Sequence, residues 1–293
     1  MPQGERITID PAACNGDGVC VAVCPAEVYD QAEAGATPTV ARPEDCIRCG
    51  HCVAACPTEA IQVRSVRAVP FPEGRPAQPV TPEDLLVLMR YRRSVRQMRD
   101  EPVPEEAIKG IIQAASTAPT AGNVRAIRVT VIQDAALRRA LLGRCLVFYR
   151  RLLRWLANPL MRPLARVFAR RQAEMLPRAV RALTGVVERL AAGEDVILFD
   201  APVTIVLSAP EGAGLSPYDC SCAMMNGILM AESLGLGTCI IGYFMEAGRR
   251  DAEMRRLMHI PDYEQVFGTF IVGYPRYPAR RQIERRRFRT TRL

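Results

Sequence analysis

Apolar residues recur every three to four positions in some stretches and form short continuous runs in others, the spacings that mark helices and strands. Helical spacing covers residues 81–91, 104–116, 134–158, 164–192, 216–234 and 247–258. Strand-like runs cover 125–132, 202–208, 237–243 and 266–273. This mixed order, with helix in excess, predicts a layered α+β domain. Thr81-Pro82-Glu83-Asp84 reads as a helix start. It offers a capping hydroxyl, a proline in the first turn and acids at the positive helix end. Leu85 to Met89 then supply an apolar face. Between Cys220 and Met245 the only charge is Glu232. That length could span a bilayer. Gly227, Gly235, Gly237 and Gly242 punctuate it, however, so a buried helix followed by a buried strand is expected.

Before residue 67 the pattern is different. Two short β-prone runs, Arg6-Ile-Thr-Ile9 and Ile61-Gln-Val63, bracket a cysteine-rich segment that repeats itself. A shift of 32 positions lays Cys14 on Cys46, Cys20 on Cys52, Cys24-Pro25 on Cys56-Pro57 and Glu27 on Glu59. Each copy of such a repeat is a structural unit that needs its partner. Residues 67–80, RAVPFPEGRPAQPV, hold four prolines and little periodicity, and read as an extended linker. Three parts are therefore expected: residues 1–66, the linker 67–80, and a larger domain over 81–293.

Composition sharpens this division. Apolar residues make up 49% of the 293 residues and charged ones 24%, which excludes a mostly disordered chain. Basic residues outnumber acidic ones, 39 to 31, yet residues 1–66 carry nine acids and four arginines. The opening MPQGERITID has no apolar run of the signal-peptide kind. A cytoplasmic, reducing location is expected, in which the seven cysteines before residue 57 serve as metal ligands rather than disulfides.

The second copy of the repeat reads Cys46-x2-Cys49-x2-Cys52-x3-Cys56-Pro57. This is the bacterial ferredoxin run, whose fourth cysteine ligates the other cluster of the pair. The same spacing in a zinc site is the weaker alternative. His51, between Cys49 and Cys52, is expected to point outward. The first copy departs from the pattern, reading Cys14-x2-Asp17-x2-Cys20-x3-Cys24-Pro25, with Asp17 where a cysteine is expected. Residues 5–66 resemble two-cluster ferredoxins. The resemblance implies one [4Fe–4S] cluster on Cys24, Cys46, Cys49 and Cys52, and a second cluster on Cys14, Cys20, Cys56 and Asp17. A carboxylate is a harder ligand than a thiolate. The second cluster is accordingly either an Asp-ligated [4Fe–4S] or a [3Fe–4S] cluster, and both readings stand.

Four segments of the larger domain carry candidate chemistry. Arg92-Arg93-Ser94-Val95-Arg96 places three cations and a hydroxyl within five residues, a suitable phosphate site because guanidinium groups grip phosphate in pairs of hydrogen bonds. Ser116 to Asn123 is small and turn-like, so its backbone can approach a flat ligand. Leu234 to Gly242 is a glycine-flanked strand entry, and Val272-Gly-Tyr-Pro275 precedes Arg280 and Arg281. Neither a Gly-x-Gly-x-x-Gly fingerprint nor a Walker A loop is present. In this order the four segments resemble the FMN-dependent nitroreductase family over residues 82–285. The resemblance implies an α+β domain with a central sheet flanked by helices, and a homodimer with FMN at the subunit interface. It implies phosphate contacts from Arg92, Arg93, Ser94 and Arg96, aided by Arg280 or Arg281. The ring would lie against Pro119, Thr120, Ala121 and Asn123, with backbone N–H groups near Ile241 and Gly242 facing its reactive edge. After Asn123 the chain reads Val124-Arg125-Ala126-Ile127, whereas many members carry a Gln-Pro-Trp-like run.

The resemblance is interrupted by an insertion at about 141–195. Leu141 to Leu190 hold 11 arginines and 2 acids, with broken helical periodicity around Pro159 and Pro163. Three readings are open: a helical lid over the flavin, a docking face for the acidic N-terminal module, and a basic membrane-surface segment. A nucleic-acid partner is not expected, because these arginines lack a recognised scaffold. Cys145, Cys220, Cys222 and Cys239 lack metal-site spacing. The expected activity is that of an iron–sulfur flavoprotein oxidoreductase. Electrons from a ferredoxin or NAD(P)H would reach a small organic acceptor: a nitro compound, a quinone or an activated alkene. A non-catalytic electron-transfer subunit and a biosynthetic flavin oxidase are the alternatives.

Overall fold

In the computed structural model the chain divides into two compact units, Met1–Pro79 with Gly122–Val124, and Val80–Ala121 with Arg125–Leu293. The structure describes residues 7–69, 80–157, 176–281, 283 and 288–293. Most of the expected linker and the middle of the insertion, residues 158–175, lie outside the described residues.

The first unit shows the internal repeat in three dimensions. Strand β1 (Ile7–Ile9) pairs antiparallel with the last strand of the unit, Ile61–Val63, so the two bracketing runs meet. Between them stand two five-residue helices, α1 (Val19–Val23) and α2 (His51–Ala55), and a small antiparallel pair, β2 (Tyr29–Asp30) with β3 (Thr39–Val40); Ile61–Val63 is β4. The two halves agree in backbone as well as in sequence. Gly18 and Gly50 precede the helices with φ of 69° and 76°. Glu27 and Glu59 follow the Cys-Pro pairs with φ of 49° and 54°. Ile7, Val28, Tyr29, Ile61 and Val63 form the core together with Cys20 and Cys52.

The second unit is built on one antiparallel sheet in the order β5 (Arg128–Ile132), β6 (Val203–Pro210), β8 (Glu264–Gly273), β7 (Gly237–Ile240). Alternate residues of a strand face opposite sides, and both sides are covered here. Val203, Ile205, Leu207, Phe270 and Val272 pack under α4 (Glu105–Ser116) and α7 (Ser216–Ser233). Val206 and Ile271 face the other way, toward α5 (Ala135–Ala157), α6 (Leu176–Ala191), α8 (Gly242–Arg250) and α9 (Ala252–Leu257). This is the expected central sheet flanked by helices. Burial on both faces explains why Val203–Ala209 reads as an almost unbroken apolar run. Helix α3 (Pro82–Tyr91) starts as read, with Thr81 Oγ1 accepting the Asp84 N–H at 3.1 Å.

Three boundaries differ from expectation by three residues or more; the first is the strand expected over 125–132, which begins at Arg128. The strand expected over 237–243 ends at Ile240, because Gly242 already begins α8. The helix expected over 247–258 is two helices broken at Asp251. The Asp251 carboxylate caps α9 by accepting the Met254 N–H at 2.9 Å, and it also receives Arg144 Nη2 at 2.7 Å. A capping aspartate favours a helix start over helix continuation, and no change of apolar period announces that break. Among the described residues no helix is long and apolar enough to cross a membrane.

Candidate functional site

In the first unit the cysteines gather into two sets. One cavity is lined by Cys24, Cys46, Cys49 and Cys52, beside Tyr29 and Val28. Another is lined by Cys14, Asp17, Cys20 and Cys56, beside Ile9 and Ile61. Each set draws on both copies of the repeat, since Cys24 of the first copy joins the cysteines of the second, and Cys56 of the second joins those of the first. Helix geometry explains the inner cysteine positions. Cys20 and Cys52 sit one residue into α1 and α2 with their side chains turned into the core, where burial pushes both thiols up. Cys49 and His51 are exposed at the loop end. Among the described residues no three His, Cys, Asp or Glu side chains converge on a single metal ion; each set rims a cavity instead.

The donors around the sulfurs fit an iron–sulfur group. The Gly16 and Val28 N–H groups reach Cys14 and Cys24 Sγ, both at 3.4 Å. At Cys56, burial pushes the thiol up, but hydrogen bonds from Thr58, Ala60 and Ile61 outweigh it and hold the thiol below its ordinary range. Such N–H···S contacts set the properties of thiolate-bound clusters. Tyr29, buried at 3% exposure, donates its hydroxyl to Cys52 Sγ at 3.2 Å. Sequence reading did not single out Tyr29, whose partner lies across the fold. Asp17 lines its cavity, and its Oδ1 accepts the Val19 N–H at 3.0 Å.

In the second unit three of the four expected segments come together. Ser94 bridges in parallel to Thr238, and the Val95 N–H donates to the Thr238 carbonyl at 2.8 Å. Farther along, Met98 bridges to Pro275, and the Arg276 N–H donates to the Gln97 carbonyl at 3.0 Å. The Arg92–Arg96 segment thus runs along the free edge of β7. Gly237 permits this approach: a Cβ there would stand 2.8 Å from Val95 Cγ2 and 3.0 Å from Pro275 Cγ. Arg93, Ser94 and Arg96 are exposed, and Arg92, Arg93 and Arg96 form no ion pair among the described residues. Arg280 and Arg281 are exposed beyond the end of β8.

The amides near the strand end are not equivalent. The Ile241 N–H is committed to the Thr269 carbonyl at 2.9 Å. Gly242 is the first residue of α8, where the N–H groups of the opening turn have no helical acceptor. The open amides therefore begin at Gly242 rather than Ile241. The Ser116–Asn123 segment lies elsewhere. Ala121 N–H donates to Asp219 Oδ1 at 3.1 Å. The cavity beside Ala118 and Thr120 is lined by α4, α7 and β5 residues and by none from the other three segments. Pro119 precedes that turn, and Asn123 ends it with φ of 53°.

The model of the nitroreductase family matches residues 89–274, more than half of the chain. The chain belongs to the nitroreductase family. A 4Fe-4S dicluster domain model matches residues 6–57 of this nitroreductase-family oxidoreductase. It is 27% identical over 199 residues to a putative NADH dehydrogenase/NAD(P)H nitroreductase of Archaeoglobus fulgidus, covering 66% of this chain and 87% of that one. Its N-terminal part is 49% identical over 35 residues to Ferredoxin-1 of Nitratidesulfovibrio vulgaris, covering 12% of this chain and 56% of that one. In structure it is similar to a nitroreductase with bound FMN from Bacteroides fragilis, with a TM-score of 0.55 and 20% identity, covering 72% of this chain and 98% of that one. The nitroreductase fold accounts for the second unit, and the dicluster domain for the first.

Proposed function

We propose that the chain is an iron–sulfur flavoprotein that takes electrons from a low-potential donor at its first unit and delivers them to an organic acceptor at its second. The observation that carries this reading is the run of guanidinium groups at Arg92, Arg93 and Arg96, which form no ion pair among the described residues and are held along β7 next to the open amides that begin at Gly242. When bound, the clusters supply one-electron relay and FMN supplies one- and two-electron chemistry at a flat ring. Arg92, Arg93, Ser94 and Arg96 bind the FMN phosphate, with Arg280 or Arg281 adding charge from the C-terminal side. The Gly242 amide is the donor toward the ring edge. Cys24, Cys46, Cys49 and Cys52 hold a [4Fe–4S] cluster, and Cys14, Cys20, Cys56 and Asp17 hold the second.

The working form is a homodimer, with Pro119, Thr120, Ala121 and Asn123 completing the flavin site of the other copy. Two observations support this. Among the described residues, the cavity beside Ala118 and Thr120 of that segment takes no wall from the other three. In addition, α3 has no buried residue and exposes Leu85, Leu86, Val87, Met89 and Tyr91 at 40–46%, apolar surface of the kind that marks an interface. Anaerobic purification followed by assay of FMN, iron, sulfide and molar mass tests the reading. The expected result is one FMN per chain, iron and sulfide for two clusters, and a dimer. A folded chain reconstituted with iron and sulfide that holds no flavin would overturn it.

A further inference from the structure

Two arginines of the first unit share one cavity, and a cysteine of the first cavity set lies on its wall. Arg48 and Arg64 line a space of about 350 Å³ together with Ser65 and Cys46. We propose that this cavity receives acidic side chains of the electron-donor protein, which makes the cluster on Cys24, Cys46, Cys49 and Cys52 the point of entry. The inference rests on the reading of the first unit as the electron entry, and adds the docking site and the chemistry of the donor's face.

Two backbone turns bring the arginines together. Arg48 stands in the Cys46-x2-Cys49 loop with φ of 53°. Arg64 and Ser65 form the tip of a turn after β4, closed by the Val66 N–H donating to the Val63 carbonyl at 2.9 Å. Ser65 has φ of 70° there. Gly50 lets this turn lie against the start of α2: a Cβ at Gly50 would stand 2.9 Å from Val66 Cγ1. Arg48 and Arg64 are both exposed. A guanidinium group holds a carboxylate through paired, charge-assisted hydrogen bonds.

This placement runs against the charge of its surroundings. Residues 1–66 carry nine acids and four arginines. Among the described residues Arg42 is paired with Asp30 at 2.6 Å, whereas Arg48 and Arg64 form no ion pair. Glu44 and Asp45 precede Cys46 in the chain but are not among the cavity's walls. The repeat supplies a comparison. A shift of 32 positions puts Gly16, Ala32 and Glu33 where Arg48, Arg64 and Ser65 stand, so the half around Cys14 has no cation at the matching positions. The acids of this unit repel an acidic partner, and the two arginines attract it at one place, beside Cys46. A cluster takes one electron at a time, so the occupant is a one-electron carrier rather than a hydride donor. The donor's reduced centre loses one electron, the oxidised cluster gains it, and no bond forms or breaks. Electron-transfer encounters of this kind bury little surface, a scale that suits two guanidinium contacts.

Stopped-flow reduction of the anaerobic holoprotein tests this, with cluster bleaching as the readout. Two reductants are compared: a reduced acidic two-cluster ferredoxin, and the methyl viologen radical cation, which needs no basic dock. At low ionic strength Arg48→Gln and Arg64→Gln should each slow the ferredoxin reaction about threefold, and the double variant about tenfold. The deficit should shrink to about twofold at high salt, where exposed charges are screened. Methyl viologen should reduce every variant at least as fast as wild type. Arg139→Gln, at an exposed position of the second unit, should stay within about twofold of wild type with ferredoxin, as should Glu73→Gln, which removes the one acid of residues 67–80. Four results overturn the docking site: equal ferredoxin rates in wild type and the double variant, an equal loss with methyl viologen, an Arg139→Gln as slow as the single variants, or a Glu73→Gln much faster than wild type. Wild-type clusters that methyl viologen reduces and the ferredoxin does not would instead overturn the entry reading itself.

Discussion

Tyr29 offers the sharpest quantitative prediction. Its hydroxyl donates to Cys52 Sγ at 3.2 Å, and burial pushes its phenol well up, so the donor stays protonated at working pH. A hydrogen bond to a charged acceptor contributes ~1.5–3 kcal/mol. Only the part that differs between the oxidised and the more negative reduced cluster moves the potential. If that part is a third to a half, it amounts to ~0.5–1.5 kcal/mol. At about 59 mV per tenfold change for one electron, the shift is ~20–65 mV. The sign follows from charge: the donor favours the reduced state, so Tyr29→Phe lowers the potential. The repeat supplies an internal control, because the residue matching Tyr29 in the second half is Ile61, which has no donor. An anaerobic redox titration of the whole chain, followed by EPR, should show one cluster moving down by tens of millivolts and the other unchanged. A shift below about 10 mV, an upward shift or equal movement of both clusters would refute the reasoning.

Four further outcomes are expected. Asp17→Cys should raise the iron content of the second cluster and replace any three-iron EPR signal with a four-iron one; spectra and metal content identical to wild type would remove Asp17 from the ligand set. Gly237→Ala forces Val95 and Pro275 back from β7, which should cost ~1–3 kcal/mol and release FMN on gel filtration, whereas retained flavin at wild-type stability would contradict the packing argument. Glu264, buried at 4%, accepts from Arg128 at 3.0 Å and from Ser208 at 2.7 Å; Glu264→Ala should cost about 2 kcal/mol and lower Tm by roughly 4–8 °C, as read by thermal melting. Cys145, buried and with its thiol pushed up to about 12 by desolvation, should resist iodoacetamide at pH 8 in the native state and react once unfolded, while exposed Cys222 reacts in both.

The parts of the fold carried by local pattern were legible in the sequence. The 32-residue repeat foretold two halves, and their backbones agree down to the left-handed Gly18 and Gly50 and the left-handed Glu27 and Glu59. The apolar runs of β6 and β8 were readable because both faces of the sheet are covered. Tyr29 was not readable, since its role depends on where β2 lies relative to α2. Gly237 was noticed only as punctuation. Its physical reason, the passage of Val95 over its missing Cβ, is a contact between segments far apart in the chain. The break at Asp251 was missed because a side-chain cap, not a change in period, produces it.

The central claim is that electrons enter through the first unit and leave from the flavin site of the second. Stopped-flow mixing of the anaerobic protein with reduced ferredoxin, followed by flavin absorbance, tests it most directly. The account predicts rapid bleaching in wild type and at least tenfold slower bleaching in Cys49→Ser, with FMN content unchanged. Equal rates in the two proteins, or bleaching by NADH alone, would contradict it.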